Sequence, residues 1–466
     1  MDSSSEPPHL TRRVLIAGAA GGLASPAVAQ NARRQPQTPP PPPLAPAPLV
    51  VLTPMRAEAR LRGPNERGTP VWGYWGQVPG PTLRLKRDQE QTITVHNALD
   101  EPTALHIRGF RGENRMDGIP GLTQAAIAPG DRFNLVVKPR DAGTFLYRPW
   151  HPEFGAAQVA RGLSGAFIVE EQTPVEVDQD QLFVLDEWVL DPTGAIAETA
   201  IGILRGTGGE AVSRVITVNG GPNFEILARQ NERLRLRFVN ASHSSLLRLA
   251  IRGVPLTLVA IDGQPSEPFM LEGSSVVMGP GQRVDIMVDA TDPPGTRYEA
   301  LIDNLIGERL VGQFLVSTEA PRRNQSLTAP KQLPPNPIAQ QMPLARAFRT
   351  ELSLVTRADG ETRFAGKTDR SPRAEPDFRV RRGTVVAIGL PNDTKAIQAV
   401  QLHGHAARLL DGVDDGWKPF FLDTIMLAPG TTSRIAFLAD NPGKWVIAAQ
   451  AIGEARGPLV SWFEVT

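Results

Sequence analysis

Ala128-Pro129-Gly130-Asp131-Arg132 stands directly ahead of an alternating apolar run at residues 132–137, and the phrase returns twice along the chain. Gly279-Pro280-Gly281-Gln282-Arg283 opens the run at 283–288, and Ala428-Pro429-Gly430-Thr431-Thr432 precedes the run at 434–439. The copies lie about 150 residues apart, roughly one β-sandwich length, which predicts an internal threefold repeat of sandwich domains. Further short runs at 82–95, 166–169, 233–239 and 384–388 alternate between Gly, Pro, Asn and Asp clusters, as antiparallel strands do. No window keeps a helical apolar period over four turns. With 43 Gly and 44 Pro, nearly a fifth of the 466 residues are turn formers, well above ordinary usage. The expected fold is therefore all-β. Boundaries are expected at residues 49–172, 173–320 and 344–466, with a Pro-rich interdomain linker at 321–343.

The N-terminus reads differently. A polar start, the pair Arg12-Arg13, a small-residue apolar run at 14–23 and Ala27-Val28-Ala29 have the order of a twin-arginine signal peptide over residues 1–29, cut before Gln30. Such export delivers folded proteins to the bacterial periplasm, the expected location. Residues 30–48, with Pro at 36, 39–43, 46 and 48, read as an extended polyproline linker. No stretch approaches the roughly 18 apolar residues of a membrane span, so no transmembrane segment is expected after cleavage.

Composition restricts the chemistry. Lys plus Arg and Asp plus Glu both total 49, so the formal net charge is zero, which argues against a nucleic-acid partner. The absence of any Cys excludes disulfides, thiolate metal sites and Cys nucleophiles. No Gly-x-Ser-x-Gly elbow, phosphate-cradling loop or His-Glu-x-x-His occurs. Glu170-Glu171 and Asp414-Asp415 read as solvated loop or strand-end charges.

Several motifs then occur in a fixed order. The first domain contains Val71-Trp72-Gly73-Tyr74-Trp75-Gly76-Gln77-Val78-Pro79-Gly80-Pro81-Thr82, then Leu105-His106-Ile107-Arg108-Gly109, Met116-Asp117-Gly118-Ile119-Pro120-Gly121 and Gly143-Thr144-Phe145-Leu146-Tyr147-Arg148-Pro149-Trp150. The second has Thr217-Val218-Asn219-Gly220 and Asp262-Gly263-Gln264-Pro265; the third has Leu402-His403-Gly404-His405 and Asp440-Asn441-Pro442-Gly443-Lys444-Trp445. Together they resemble the bacterial multicopper oxidases, laccase-like proteins of three tandem cupredoxin-like Greek-key β-sandwich domains, over essentially the whole mature chain.

That resemblance implies ten ligand histidines and one cysteine for a blue copper and a three-copper cluster. Residue by residue, the match places His106 at the first ligand position and Arg108 at the second, with Arg148 and Trp150 at the next two. Gln398, Gln401 and His403 follow, then Ala448, Ala449 and Gln450, with Glu454 and Leu459 at the last two. On this reading His106 and His403 are the residual ligand histidines and Ala449 stands where the cysteine belongs.

A trigonal blue copper set needs imidazoles and a thiolate, and a guanidinium is always cationic and cannot ligate. At 4 Å and an effective dielectric of 20, two unit charges interact by about 4 kcal/mol, so one Arg repels a divalent copper by roughly twice that. No catalytic residue is assigned and no cofactor is expected. Arg108 and Arg148 are expected to face inward and pair with acids, Asp117 being the first candidate and Glu454 the second. His405, two residues from His403, is expected on the same face, so that His106, His403 and His405 form a candidate three-His metal site. His151 is expected at a rim, and His96 and His243 lack partners at ligand spacing.

The resemblance supports two functional expectations. One is a copper-free, non-enzymatic periplasmic binding or scaffolding protein with an unknown periplasmic or envelope partner, similar in plan to the twin-arginine-exported, copper-free members associated with bacterial cell division. The other is an oxidoreductase with a residual or rebuilt metal site at His106, His403 and His405.

Overall fold

A computed structural model describes residues 50–201, 212–304, 306–358, 360–366, 371–372, 374–410 and 417–466. The predicted signal peptide, the polyproline linker and Asp414-Asp415 lie outside the described residues. Within them the chain is almost entirely β, with one short α-helix, Gly155–Ala160. Among the described residues no helix is long and apolar enough to cross a membrane.

Paired sheets form three successive sandwiches. The first has a three-stranded and a four-stranded sheet with a two-stranded ribbon; the second pairs six strands with five, and the third pairs seven with five. Each sandwich encloses its own apolar core, centred on Phe145 and Phe167 in the first, Phe238 and Phe314 in the second, and Phe437 and Phe463 in the third. The run at 82–95 divides into two strands, Gly80–Lys86 and Gln91–His96, because Asp88 takes a positive φ of 65° and breaks the extended backbone.

The repeated Pro-Gly phrase is a tight turn ahead of a strand in each sandwich, with Gly130, Gly281 and Gly430 at φ of 81°, 81° and 69°. Only glycine adopts that conformation without strain. A fully buried asparagine clamps each turn: Asn97, Asn240 and Asn392 are all 0% exposed. Their backbone carbonyls accept from Gly130, Gly281 and Gly430 at 2.8, 2.7 and 2.8 Å. Their Nδ2 groups donate to the carbonyls of Ile127, Met278 and Leu427 at 2.9, 2.9 and 3.0 Å. The threefold repeat thus extends to single hydrogen bonds.

Charged groups cement the sandwich junctions. Along Arg233–Asn240 alternate residues face opposite ways, so Leu234, Leu236 and Phe238 enter the core of the second sandwich while Arg233, Arg235 and Arg237 line up on the other face. Arg235 pairs with Glu171 at 2.7 Å and with Asp285 at 2.6 Å. This corrects the expectation for Glu170-Glu171: the Glu171 carboxylate is a buried counter-ion, not a solvated charge. The stretch 321–343 packs closely, with Leu333 and Met342 buried and Asn336 bonded to both Ala142 backbone groups at 2.8 Å.

Candidate metal centre and adjoining cavity

The first and third sandwiches meet where strand His106–Arg108 and residues around Trp150 face strands Gln398–Leu402 and Gly443–Ala451, while the neighbouring strand Gly143–Arg148 packs on the second sandwich. Register sets which side chains meet. His106 pairs with Arg148 and Arg108 with Leu146 in one sheet; Gln401 pairs with Ala448 and Ala399 with Gln450 in the other. Alternation sends Ala448 to the interface, where it packs with Ile119, Trp150, Val446, Val460 and Trp462. Ala449 faces the core of the third sandwich together with Leu459. Gln398 is also fully buried there, with Nε2 donating to Thr394 Oγ1 at 3.2 Å.

Two buried imidazoles and one carboxylate converge at this junction. The His106 and His403 rings stack at 4.1 Å. His106 Nδ1 lies 2.8 Å from the Asp117 carbonyl oxygen and 3.3 Å from its Oδ1, and His403 Nδ1 lies 2.9 Å from Asp117 Oδ2. Both contacts require the proton on Nδ1, which leaves Nε2 as an acceptor. Gln401 Nε2 donates to His106 Nε2 at 3.0 Å, whereas the buried His403 Nε2 has no partner. Burial would raise the Asp117 carboxyl, but His403 and His106 hold it below the usual carboxylate range. Burial, and then His106, push His403 down to about 4 against the pull of Asp117, so the imidazole is neutral at pH 7 and able to ligate.

Asp117 therefore belongs to the histidines, which corrects its expected pairing with the arginines. Glu454 does not fill that role either, lying 3.7 Å from Arg456. The expected set of His106, His403 and His405 is corrected too. Gly404 sits between the last two at φ +66°, so the chain turns and the i, i+2 rule of an extended strand no longer holds. His405 enters the core of the third sandwich, 5.0 to 5.6 Å from the rings of Phe437, Phe463 and Trp445. The group that converges is His106, Asp117 and His403, whose donor atoms lie within 4.8 Å of one another. A metal ion held by Asp117 and either Nδ1 would take the place of the proton that now joins them, and His403 Nε2 is the one further nitrogen of the group without a partner.

Arg108 and Arg148 face a cavity beside this group, also lined by Trp150, His151, His243, Gln401, Ala448 and Gln450. Arg108 is 3% exposed, and its Nη2 donates to Thr424 Oγ1 at 3.1 Å. Arg148 Nη1 is buried without a partner. Among the described residues neither guanidinium has a carboxylate oxygen within 4 Å, the nearest acids acting only at longer range. Burial, and then the neighbouring Arg148, lower Arg108, and burial followed by Arg283 pushes Arg148 down to about 10. His243, without partners in the sequence pattern, stands in the cavity wall; burial and then Arg148 push it down to about 4. His151 Nδ1 accepts from the backbone of Glu153 and Phe154 at 3.2 and 3.3 Å, ahead of the short helix.

Sequence reasoning missed the acids nearest these arginines. Arg283, fully buried, holds Asp423 at 2.6 Å and Asp262 at 3.5 Å, and its Nε donates to the Thr144 carbonyl at 3.2 Å, joining all three sandwiches. Both Asp262 and Arg283 stand in quoted motifs, but neither position suggested a pairing.

Three multicopper oxidase family models match the chain, over residues 58–174, 180–308 and 342–450. The Mycobacterium tuberculosis multicopper oxidase MmcO is 26% identical over 435 residues, 85% of this chain and 82% of its own. A solved multi-copper oxidase from Pseudomonas thermotolerans is 30% identical, covering 90% of this chain and 99% of its own at a TM-score of 0.77. Lac15 from a marine microbial metagenome is 28% identical over 90% of this chain and all of its own, at a TM-score of 0.73. These matches overturn the expectation that no cofactor belongs here, because the family is copper-dependent and the His106, Asp117 and His403 group offers donors to a metal.

Proposed function

The chain belongs to the multicopper oxidase family, with three tandem cupredoxin-like domains, and we propose that within it this protein acts as a non-enzymatic binding or scaffolding protein of the cell envelope. The observation that carries the reading is the pair Arg108 and Arg148, facing one cavity with no carboxylate partner among the described residues, at positions the family resemblance matches to copper ligands. A guanidinium cannot ligate copper, and a chain with no Cys has no thiolate for a blue site. Copper supplied to the protein is instead held at His106, Asp117 and His403, as one ion. The test is copper loading followed by metal analysis, absorption spectroscopy and oxygen uptake with a phenol. About one copper per chain, no blue band and no uptake is the expected result; a blue band, about four coppers and turnover would overturn the reading.

Convergence of the three donors favours a second reading, an oxidoreductase working from that single rebuilt site. It requires metal-dependent oxidation of a phenol or a low-valent metal ion that disappears in both His106→Ala and His403→Ala. The proposed location is the periplasm, reached through the Arg12-Arg13 signal, and the proposed partner is an envelope protein, with the division-associated members as the analogy. Replacing both arginines of the signal with Lys should retain the precursor in the cytoplasm, and a periplasmic pull-down recovering no envelope or division protein would weaken the partner proposal.

A further inference from the structure

Among the described residues the cavity between the first and third domains is lined by two guanidiniums and by no carboxylate. Arg108 and Arg148 carry two positive charges there, with the Arg148 Nη1 orphaned. Trp150, 6% exposed, adds an indole Nε1 that is buried and without a partner, and indole nitrogen only donates. Gln450 Nε2 is already spent on the Ala451 and Glu454 carbonyls at 3.2 and 3.1 Å, and Gln401 Nε2 gives one hydrogen to His106 Nε2 at 3.0 Å, so the charged donors to the cavity are the two arginines. A buried guanidinium without a counter-ion leaves its desolvation uncompensated, and every other buried Arg at the domain junctions has one: Arg111 with Asp141, Arg233 with Asp289, Arg235 and Arg237 with Asp285, and Arg283 with Asp423. Among the described residues of these junctions only the cavity pair lacks it.

We infer that this cavity binds a small oxyanion, a carboxylate or phosphate group, which supplies the missing negative charge between Arg108 and Arg148. The size fits. About 40 Å³ is open to the centres of water-sized atoms, against roughly 10–15 Å³ for one water, so the cavity takes a few heavy atoms, the bulk of one oxyanion head. The architecture is built for it as well. Arg108 is held by Thr424 from the third domain and lies against Gly281 of the second, where an added Cβ would fall 2.4 Å from the guanidinium carbon. One cation is thereby fixed in place, while the neighbouring Arg148 keeps a free donor. Charge-assisted hydrogen bonds from two guanidiniums are the strong kind, and a planar fork matches carboxylate and phosphate oxygens. An anion bound here touches both domains, so binding strengthens their contact.

The inference deepens the binding-protein reading and names the chemistry that this face recognises. The experiment is calorimetric titration of the mature chain with inorganic phosphate and with acetate at constant ionic strength, chloride serving as control, alongside thermal unfolding at each anion concentration. Saturable one-site binding and a rise in Tm with phosphate or acetate, but not with chloride, are expected. Arg148→Met should weaken binding at least about tenfold, and Arg148→Lys should recover part of it. Should Arg148→Met fail to fold, Trp150→Phe, which keeps the ring and deletes the unpartnered donor, must weaken binding. Absence of saturable binding, or affinity unchanged in Arg148→Met and Trp150→Phe, overturns the inference. Binding of phosphate alone assigns a tetrahedral anion, and binding of acetate alone a carboxylate. None of these outcomes decides whether the protein reduces oxygen, which the uptake assay settles separately.

Discussion

Asp117 Oδ2 lies 2.9 Å from His403 Nδ1, so one carboxylate of the first domain holds the third domain through a neutral imidazole. The same side chain orients His106, making Asp117 the hub of the buried group. Asp117→Asn keeps the volume but places an amide where two Nδ1–H donors converge, and leaves one of them facing a donor. A buried hydrogen bond to a charged group contributes about 1.5–3 kcal/mol, so a loss of about 3 kcal/mol is expected for the two. Denaturant unfolding should show a lower midpoint, and zinc titration should show weaker metal binding in the same variant. An unchanged midpoint would mean that the contact contributes nothing to the domain junction.

His405 provides a separable pH test. Burial pushes its folded pKa down to about 4 from 6.5, so the unfolded chain binds the extra proton between those values and stability falls as pH drops through that window. The contribution is complete above pH 6.5, and each unit below removes about 1.4 kcal/mol. His403 and His243, also pushed down to about 4, act in the same direction, and Asp186 and Asp262, both raised to about 7, act in the opposite one, so the slope of the whole protein does not report His405 alone. The difference between variants isolates the imidazole. His405→Phe, placed among Phe437, Trp445 and Phe463, should give a stability curve that diverges from the parent by about 1.4 kcal/mol per unit below pH 6.5. Parallel curves would show that the imidazole is already charged in the folded state.

The turn phrases announced three sandwiches because Gly130, Gly281 and Gly430 are local requirements, set by a positive φ that sequence alone betrays. The clamps Asn97, Asn240 and Asn392 were invisible, since an Asn at a strand end looks like any turn former until burial and its bonds are seen. Strand phase likewise indicates that Arg108 turns inward, because alternation is local. Choosing its partners is not local. Asp117 lies only nine residues from Arg108 in sequence yet serves His106 and His403, and the acids nearest the arginines come from the second and third domains. His405 was misplaced by a single residue, Gly404, whose left-handed turn a two-residue period cannot anticipate.

Arg283 tests the junction of all three domains. It is fully buried between Asp423 at 2.6 Å and Asp262 at 3.5 Å, and removing it leaves two carboxylates close together without a cation. Removing one partner of a buried pair costs about 3–5 kcal/mol, so Arg283→Met should lower the unfolding free energy by that amount. Combining it with Asp423→Asn should recover part of the loss by removing one of the stranded charges. Urea unfolding of the single and double variants measures both effects, and a double variant no better than the single would show that repulsion between the stranded carboxylates is not what destabilises it.

The asparagine clamps make the last test, because the same bonds occur three times in different surroundings. Asn392 Nδ2 donates to the carbonyls of Ala396 at 2.9 Å and Leu427 at 3.0 Å, and its Oδ1 accepts from Thr394 N at 3.2 Å. Asn240 repeats the set with Ser245, Met278 and Ser242, and Asn97 with Glu101, Ile127 and Leu99. Alanine at any of the three strands buried backbone groups at about 1–3 kcal/mol each, so each substitution should cost about 3 kcal/mol or more. Hydrogen exchange should locate the damage in the altered domain, at Gly130, Gly281 or Gly430, whose amide is held by the clamping residue. Exchange that rose equally in all three domains would mean that the sandwiches unfold as one unit and that the clamps are not local devices.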